Sequence, residues 1–187
     1  MVSTHFANRG ARVRSALELR QISEGTPSSA DGAIDAPTAI VVRLEAEAGR
    51  LTAPFTIGTD PEALSGMYLL DGALDGSSGA GEASFEFTVV ATATYYVWGR
   101  ARATTTANDS FWLSIDGGTE NSFVTTCVHD GVWRWTFAAT SACPVASPRP
   151  FMLSPGAHTL RLGSREGQSV MDQIIITDDI SFVPGDS

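Results

Sequence analysis

The sequence contains no lysine; all twelve of its basic residues are arginine. Against them stand 21 acidic residues, for a net charge of −9. A chain this acidic, without a basic run, suits neither nucleic acid nor an anionic membrane surface. No segment approaches the roughly 18 apolar residues that a membrane span needs. The opening "MVSTHFANRGARVRS" lacks an apolar core, so no secretory signal is visible in it. Histidine is scarce: His5, His129 and His158 stand far apart and form no ligand spacing such as H-E-x-x-H. There is no G-x-S-x-G elbow and no G-x-x-x-x-G-K-S/T loop. Carboxylates are plentiful but fall in no diagnostic pattern, and the chain reads as non-catalytic.

Cysteine is nearly absent. Cys127 and Cys143 are the only two, with fifteen residues between them. They are either a disulfide or two buried thiols. A disulfide fits an extracellular chain and would contribute about 3 kcal/mol by closing the loop. Cys127 with His129 two residues on would share a strand face as a nucleophile pair, but nothing orients the histidine, and a partner cysteine accounts better for Cys127.

What the chain has is glycine (18), proline (9) and many short apolar segments of period two. Residues 1–22 form an arm carrying four arginines. Residues 23–38, "SEGTPSSADGAIDAPT", have linker composition. Residues 39–187 hold eight expected strands: 40–47, 66–70, 83–90, 95–103, 110–115, 133–138, 158–162 and 171–177. Glycine-rich turns separate them, and no sustained helical period follows residue 50. The expected class is all-β, an antiparallel sandwich with an N-terminal extended arm.

Alternation assigns faces. Phe85, Phe87, Val89, Tyr95, Val97, Gly99, Ala101, Phe111, Leu113, Ile115, Leu160, Leu162, Ile174 and Ile176 form the expected core. Trp133 and Trp135 flank Arg134 and are also expected inside. In "NDSFWLSIDGG", Trp112 must then point outward. So must Tyr96, Trp98, Arg100 and Arg102 on the preceding strand. If both strands belong to one sheet, its outer face is an arginine–tryptophan surface that some element or ligand covers. Asp109 and Arg165 are further polar candidates for it, although Asp109 also suits a turn cap and Arg165 an internal pair. "NDS", residues 108–110, is also a formal N-glycosylation sequon.

"RLEAEAGRL", "YYVWGRARA", "DSFWLSIDGG", "SPGAHTLRLGSREGQSVMDQIIITDD" and "FVP" together resemble carbohydrate-binding modules of families 6 and 35 and their malectin-like, galactose-binding-like relatives, over residues 40–184. The resemblance implies a jelly-roll β-sandwich. It implies a structural calcium ion held by Glu45, Glu47 and Asp172. It also implies a polysaccharide partner gripped by aromatic residues and a few placed polar groups. The bland alternative for Glu45 and Glu47 is an acidic edge that discourages aggregation.

The arm adds a second expectation. Val13, Leu17 and Leu19 fit a period of two, or less cleanly a short helix. Such a segment has no core of its own. It packs either on its own sandwich or on a neighbour's sheet edge, and the linker reaches about 50 Å when extended. The reading expected first is an extracellular or cell-surface β-sandwich that self-assembles into a homo-oligomer or filament through the arm. The alternative is a calcium-supported module that targets a polysaccharide.

Overall fold

A computed structural model of the chain describes residues 39–74, 76–141, 143 and 147–185. Val13, Leu17 and Leu19, and with them the arm and its contacts, lie outside the described residues. All the described residues belong to one unit, Pro37–Ser187.

Among the described residues twelve strands form in order: β1 (Val41–Glu45), β2 (Arg50–Leu51), β3 (Phe55–Thr59), β4 (Met67–Asp71), β5 (Glu82–Val89), β6 (Ala93–Arg102), β7 (Ser110–Ile115), β8 (Asn121–Val124), β9 (Arg134–Phe137), β10 (Phe151–Leu153), β11 (Gly156–Ser164) and β12 (Val170–Thr177). They pair antiparallel in two sheets. One runs β10-β6-β12-β4-β3, with β1 also on β12 and β9 also on β6; the other runs β2-β5-β11-β7-β8. The interior between the sheets holds every residue of the expected core apart from side-chain-less Gly99, itself buried. Phe55 of the first sheet stacks on Phe111 of the second, with ring centroids 6.1 Å apart. Each fully buried Leu, Ile or Phe contributes about 1.5–3 kcal/mol by leaving water. Tyr95 is also fully buried, and its hydroxyl donates to the Ala91 carbonyl, so its one polar atom is satisfied.

Strand β12 is buried along its whole length. It lies centrally, paired with β6 on one side and with β1 and β4 on the other. A bulge between Met171 and Gln173 interrupts its pairing with β6. Met171 and Ile174 both face the core, three residues apart. The extra residue turns Asp172 and Gln173 away from that core, toward Arg100 on one side and Arg43 and Glu45 on the other.

Two expectations about faces need correction. Strands β6 and β7 belong to different sheets, so Tyr96, Trp98 and Arg100 lie on one outer surface and Trp112 on the opposite one. The connection after β6 crosses the sandwich, which alternation along a strand does not reveal. Trp133 and Trp135 also lie outside the main core. The register of β9 on β6 sets Trp135 opposite Arg100 and Phe137 opposite Trp98, on the outer face. There Trp98 and Phe137 meet edge to face at 5.2 Å. Trp133 packs in a small second cluster with Ala63 and Val170, bordered by Tyr68 and Leu70.

Candidate functional site

Four loops leave the same end of the sandwich: 72–81, 103–109, 125–133 and 165–169. Backbone bonds tie them together, from Gly76 to Ala107, Gly131 to Ala103, Thr125 to Asp109 and Gly167 to Ser77. Where they meet the outer face of the β6–β12–β4 sheet they enclose a groove of about 430 Å³. The sheet supplies its base with Tyr68, Leu70, Arg102 and Val170. The loops supply its walls with Ala103, Thr104, Asn108, Gly131 and Gln168.

Arg102 is fixed on three sides. Its guanidinium pairs with Asp60 and lies 4.8 Å from the centroid of Trp133 and 5.8 Å from that of Tyr68. The two rings meet edge to face at 5.6 Å. Asp60 is held in turn by the Glu62 amide and the Trp133 indole N–H, at 2.9 and 3.2 Å. The Glu62 amide is the largest influence taking the Asp60 carboxyl below its ordinary range; burial opposes it, and Trp133, Arg102 and Arg100 assist. The result is an aromatic–guanidinium stack with a planar polar edge.

Asn108 and Gln168 reach the groove from opposite loops. The Asn108 side-chain oxygen accepts from the amides of Thr104 and Thr105 and shapes the 103–109 loop. Gln168 has φ +69°, in the left-handed region that glycine usually occupies. Such a conformation costs about 1–2 kcal/mol and persists only where neighbours dictate it. Here they do. Gln168 donates from its backbone to Asp71 and from its side chain to Ala73. At Gly167 a Cβ would lie 2.1 Å from the Leu74 carbonyl oxygen, so only glycine lets the two loops approach.

Behind the groove, Asp109, Glu166 and His129 staple three of the loops. His129 Nε2 lies 2.8 Å from Asp109 Oδ2. Arg165 and Ser110 both bond Glu166, and Ser169 donates to the Ser110 carbonyl. Burial is the main cause pushing the Asp109 carboxyl up, and Glu166 adds to it, while His129 opposes. Asp109 is 7% exposed and positions the loop beside Asn108 rather than facing the groove. Arg165, while bonded to Glu166, also lies over Trp112, 5.3 Å from the ring centroid, on the other sheet's outer face. Trp112 is thereby half-covered.

The residues grouped by resemblance around calcium occupy one corner of the first sheet, each with a partner. Glu45 accepts from Gln173, Glu47 from Ser65, and Asp172 from Arg100 and from the Leu64 amide. Among the described residues, no three His, Cys, Asp or Glu side chains gather as a metal site. The second oxygens of Glu45 and Glu47 are nevertheless buried and without a hydrogen-bond partner, which is costly unless a cation or proton meets them. These two carboxylates fit a hard cation. The Asp172 carboxylate already has arginine for its counter-charge.

Cys127 and Cys143 are joined in a disulfide within the region that follows β8. The sequence pattern set Arg102 on an outer face but did not single out Tyr68, Asn108 and Gln168, and Trp133, expected inside, backs the groove instead. The available signal was the turn composition around 104–109 and 165–169.

No protein-family model matches this sequence, and no curated protein matches it. Solved structures do. The chain aligns with a native family 35 carbohydrate-binding module from Clostridium thermocellum at TM-score 0.55 and 15% identity, over 73% of this chain and 97% of that one. It aligns with the C-terminal CBM6 of LamC, a marine laminarinase from Zobellia galactanivorans, at TM-score 0.52 and 17% identity, over 74% and 99%. A Podospora anserina GH26-CBM35 β-(1,4)-mannanase gives TM-score 0.58 and 18% identity, over 77% of this chain but 29% of the mannanase. The likeness is one of fold: the sandwich has the fold of family 35 and family 6 carbohydrate-binding modules.

Proposed function

We propose that this chain is a non-catalytic carbohydrate-binding module that holds a polysaccharide in the loop-end groove. The observation that carries the reading is the make-up of the groove. Tyr68 and the Arg102 guanidinium stacked on it lie in its base, and Asn108 and Gln168 line it from opposite loops, Gln168 at a backbone angle that only its surroundings justify. Sugar rings bind where a partly apolar base meets a few placed hydrogen-bonding groups. The fold shared with the Clostridium and Zobellia modules supports the same reading.

Affinity electrophoresis through gels containing single soluble polysaccharides tests it. At least one should retard the wild-type protein, and Asn108→Ala should weaken binding about 5–10-fold, the value of one lost hydrogen bond. Gln168→Gly removes the amide but suits φ +69°, so it should lose binding while keeping its melting temperature. No retardation by any polysaccharide, or retention of full binding by both variants, rejects the groove.

A cation belongs to the proposal at Glu45 and Glu47, whose buried free oxygens would hold it and whose negative charge it would neutralise. Excess chelator should then lower the melting temperature of metal-loaded protein, because a ligand bound only to the folded form stabilises it. An unchanged melting curve removes the cation. The arm-mediated homo-assembly is a separate proposal. What favours it is β3, an edge strand of its sheet on which Ile57 is 52% exposed. Light scattering with and without residues 1–38 decides it: equal masses sink it. The disulfide supports an oxidising, extracellular setting for either.

A further inference from the structure

The groove has one charged lining residue, Arg102, and that charge is already answered. Asp60, 8% exposed, pairs with the guanidinium from beneath and is fixed by the Trp133 indole and the Glu62 amide. The neighbouring cations are also engaged. Arg100 is bound to Asp172 and to the Glu62 carbonyl, and Arg134 to Asp130. The chain as a whole is strongly acidic.

Recognition of a uronate carboxylate needs the opposite arrangement. The strong form is an arginine fork presented bidentately to the carboxylate, with no rival acid on it. Here one side of the fork is taken by Asp60, and the Trp133 and Tyr68 rings limit its rotation. A second carboxylate would face Asp60 across a single guanidinium, with like-charge repulsion and desolvation both against it. A neutral sugar meets no such opposition. The N–H groups of Arg102, the hydrogen-bonding capacity that the loop backbone leaves on the Asn108 and Gln168 amides, and the hydroxyls of Thr104 and Tyr68 match hydroxyl groups instead.

Resting on the groove reading above, we infer that the site selects neutral polysaccharides over uronate-bearing ones, and that Asp60 is the residue that sets this choice by neutralising Arg102.

The test compares neutral polymers (mannan, galactan, β-glucan, unsubstituted xylan) with polygalacturonate and alginate, using the full chain as wild type and as Asp60→Asn. The substitution removes the charge and keeps one of the two acceptor oxygens that the Glu62 amide and the Trp133 indole now use. Wild type should bind a neutral polymer at least about tenfold more tightly than either uronate, with little dependence on salt. Asp60→Asn should gain uronate binding that fades as salt is raised. Wild-type binding to a uronate as tight as to any neutral polymer overturns the inference while leaving the groove as a glycan site. Binding to nothing, or binding that survives both Asn108→Ala and Gln168→Gly, overturns the groove reading and the inference together. If Asp60→Asn does not fold, the neutral-versus-uronate comparison on wild type still decides the selectivity, and Arg102→Gln, which should leave the preference for neutral polymers in place, tests the arginine–aspartate pair from its other side.

Discussion

Replacing Arg100 with leucine should be among the most damaging single changes in the sandwich. Arg100 is 7% exposed and Asp172 not at all. Losing the guanidinium would leave the Asp172 carboxylate buried with, among the described residues, the Leu64 amide alone on its two oxygens. Breaking one partner of a buried pair costs about 3–5 kcal/mol, and the remaining amide argues for the lower end. For a chain of this size about 3 kcal/mol corresponds to a melting temperature lower by about 6–12 °C. Replacing both residues, as Arg100→Leu with Asp172→Leu, removes the orphaned charge and should recover most of the loss, because apolar residues substitute well for a buried pair. Thermal melts followed by circular dichroism at neutral pH measure all three proteins. Added calcium serves as an internal control: if a cation can take the place of the arginine against Asp172, it should raise the melting point of Arg100→Leu alone. A single variant within about 2 °C of wild type, or a double variant no better than the single, would refute the account of this corner.

Three further outcomes are expected. Replacing Cys127 and Cys143 with alanine should cost about 3 kcal/mol from the loop they close, read as a lower melting temperature in a non-reducing buffer; an unchanged melt contradicts it. His158 bonds Asp116, and that contact, followed by the Ser154 carbonyl, raises its pKa above the ordinary 6.5. Its stabilisation is therefore complete below about pH 6.5 and is lost as pH rises through the folded value, so His158→Gln should flatten the fall in melting temperature above neutrality. Trp112→Ala should leave polysaccharide binding within about twofold of wild type, since Trp112 lies on the sheet opposite the groove; a large loss would move the glycan site to that sheet.

Much of the fold is written in period two. Phe85, Phe87 and Val89, or Phe111, Leu113 and Ile115, place themselves inward without reference to any partner. The strands that alternation did not reveal are the weakly patterned ones. β2 has two residues and β10 three, β3 follows Pro54 and contains Gly58, and β8 is a four-residue edge. Period two also says nothing about which sheet a strand joins, and so Trp98 and Trp112 could be read as neighbours when they are not. The groove was least legible. Gln168 matters because Gly167 admits the Leu74 carbonyl, and Arg102 because Asp60 meets it from another loop. Both are pairings across the fold that leave no local pattern. Trp135 carried a visible signal, but its register opposite Arg100 on β6, not its hydrophobicity, sets it on the outer face.

The most direct measurement is a titration of 15N-labelled protein with a neutral oligosaccharide drawn from whichever polymer retards it, followed by amide chemical shifts. The account predicts that the shifts cluster on Tyr68, Thr104, Asn108, Gly131 and Gln168, with the Trp133 indole N–H moving and the Trp112 indole N–H still. Shifts centred on Trp112 and Gly163, or none at saturating sugar, would contradict it.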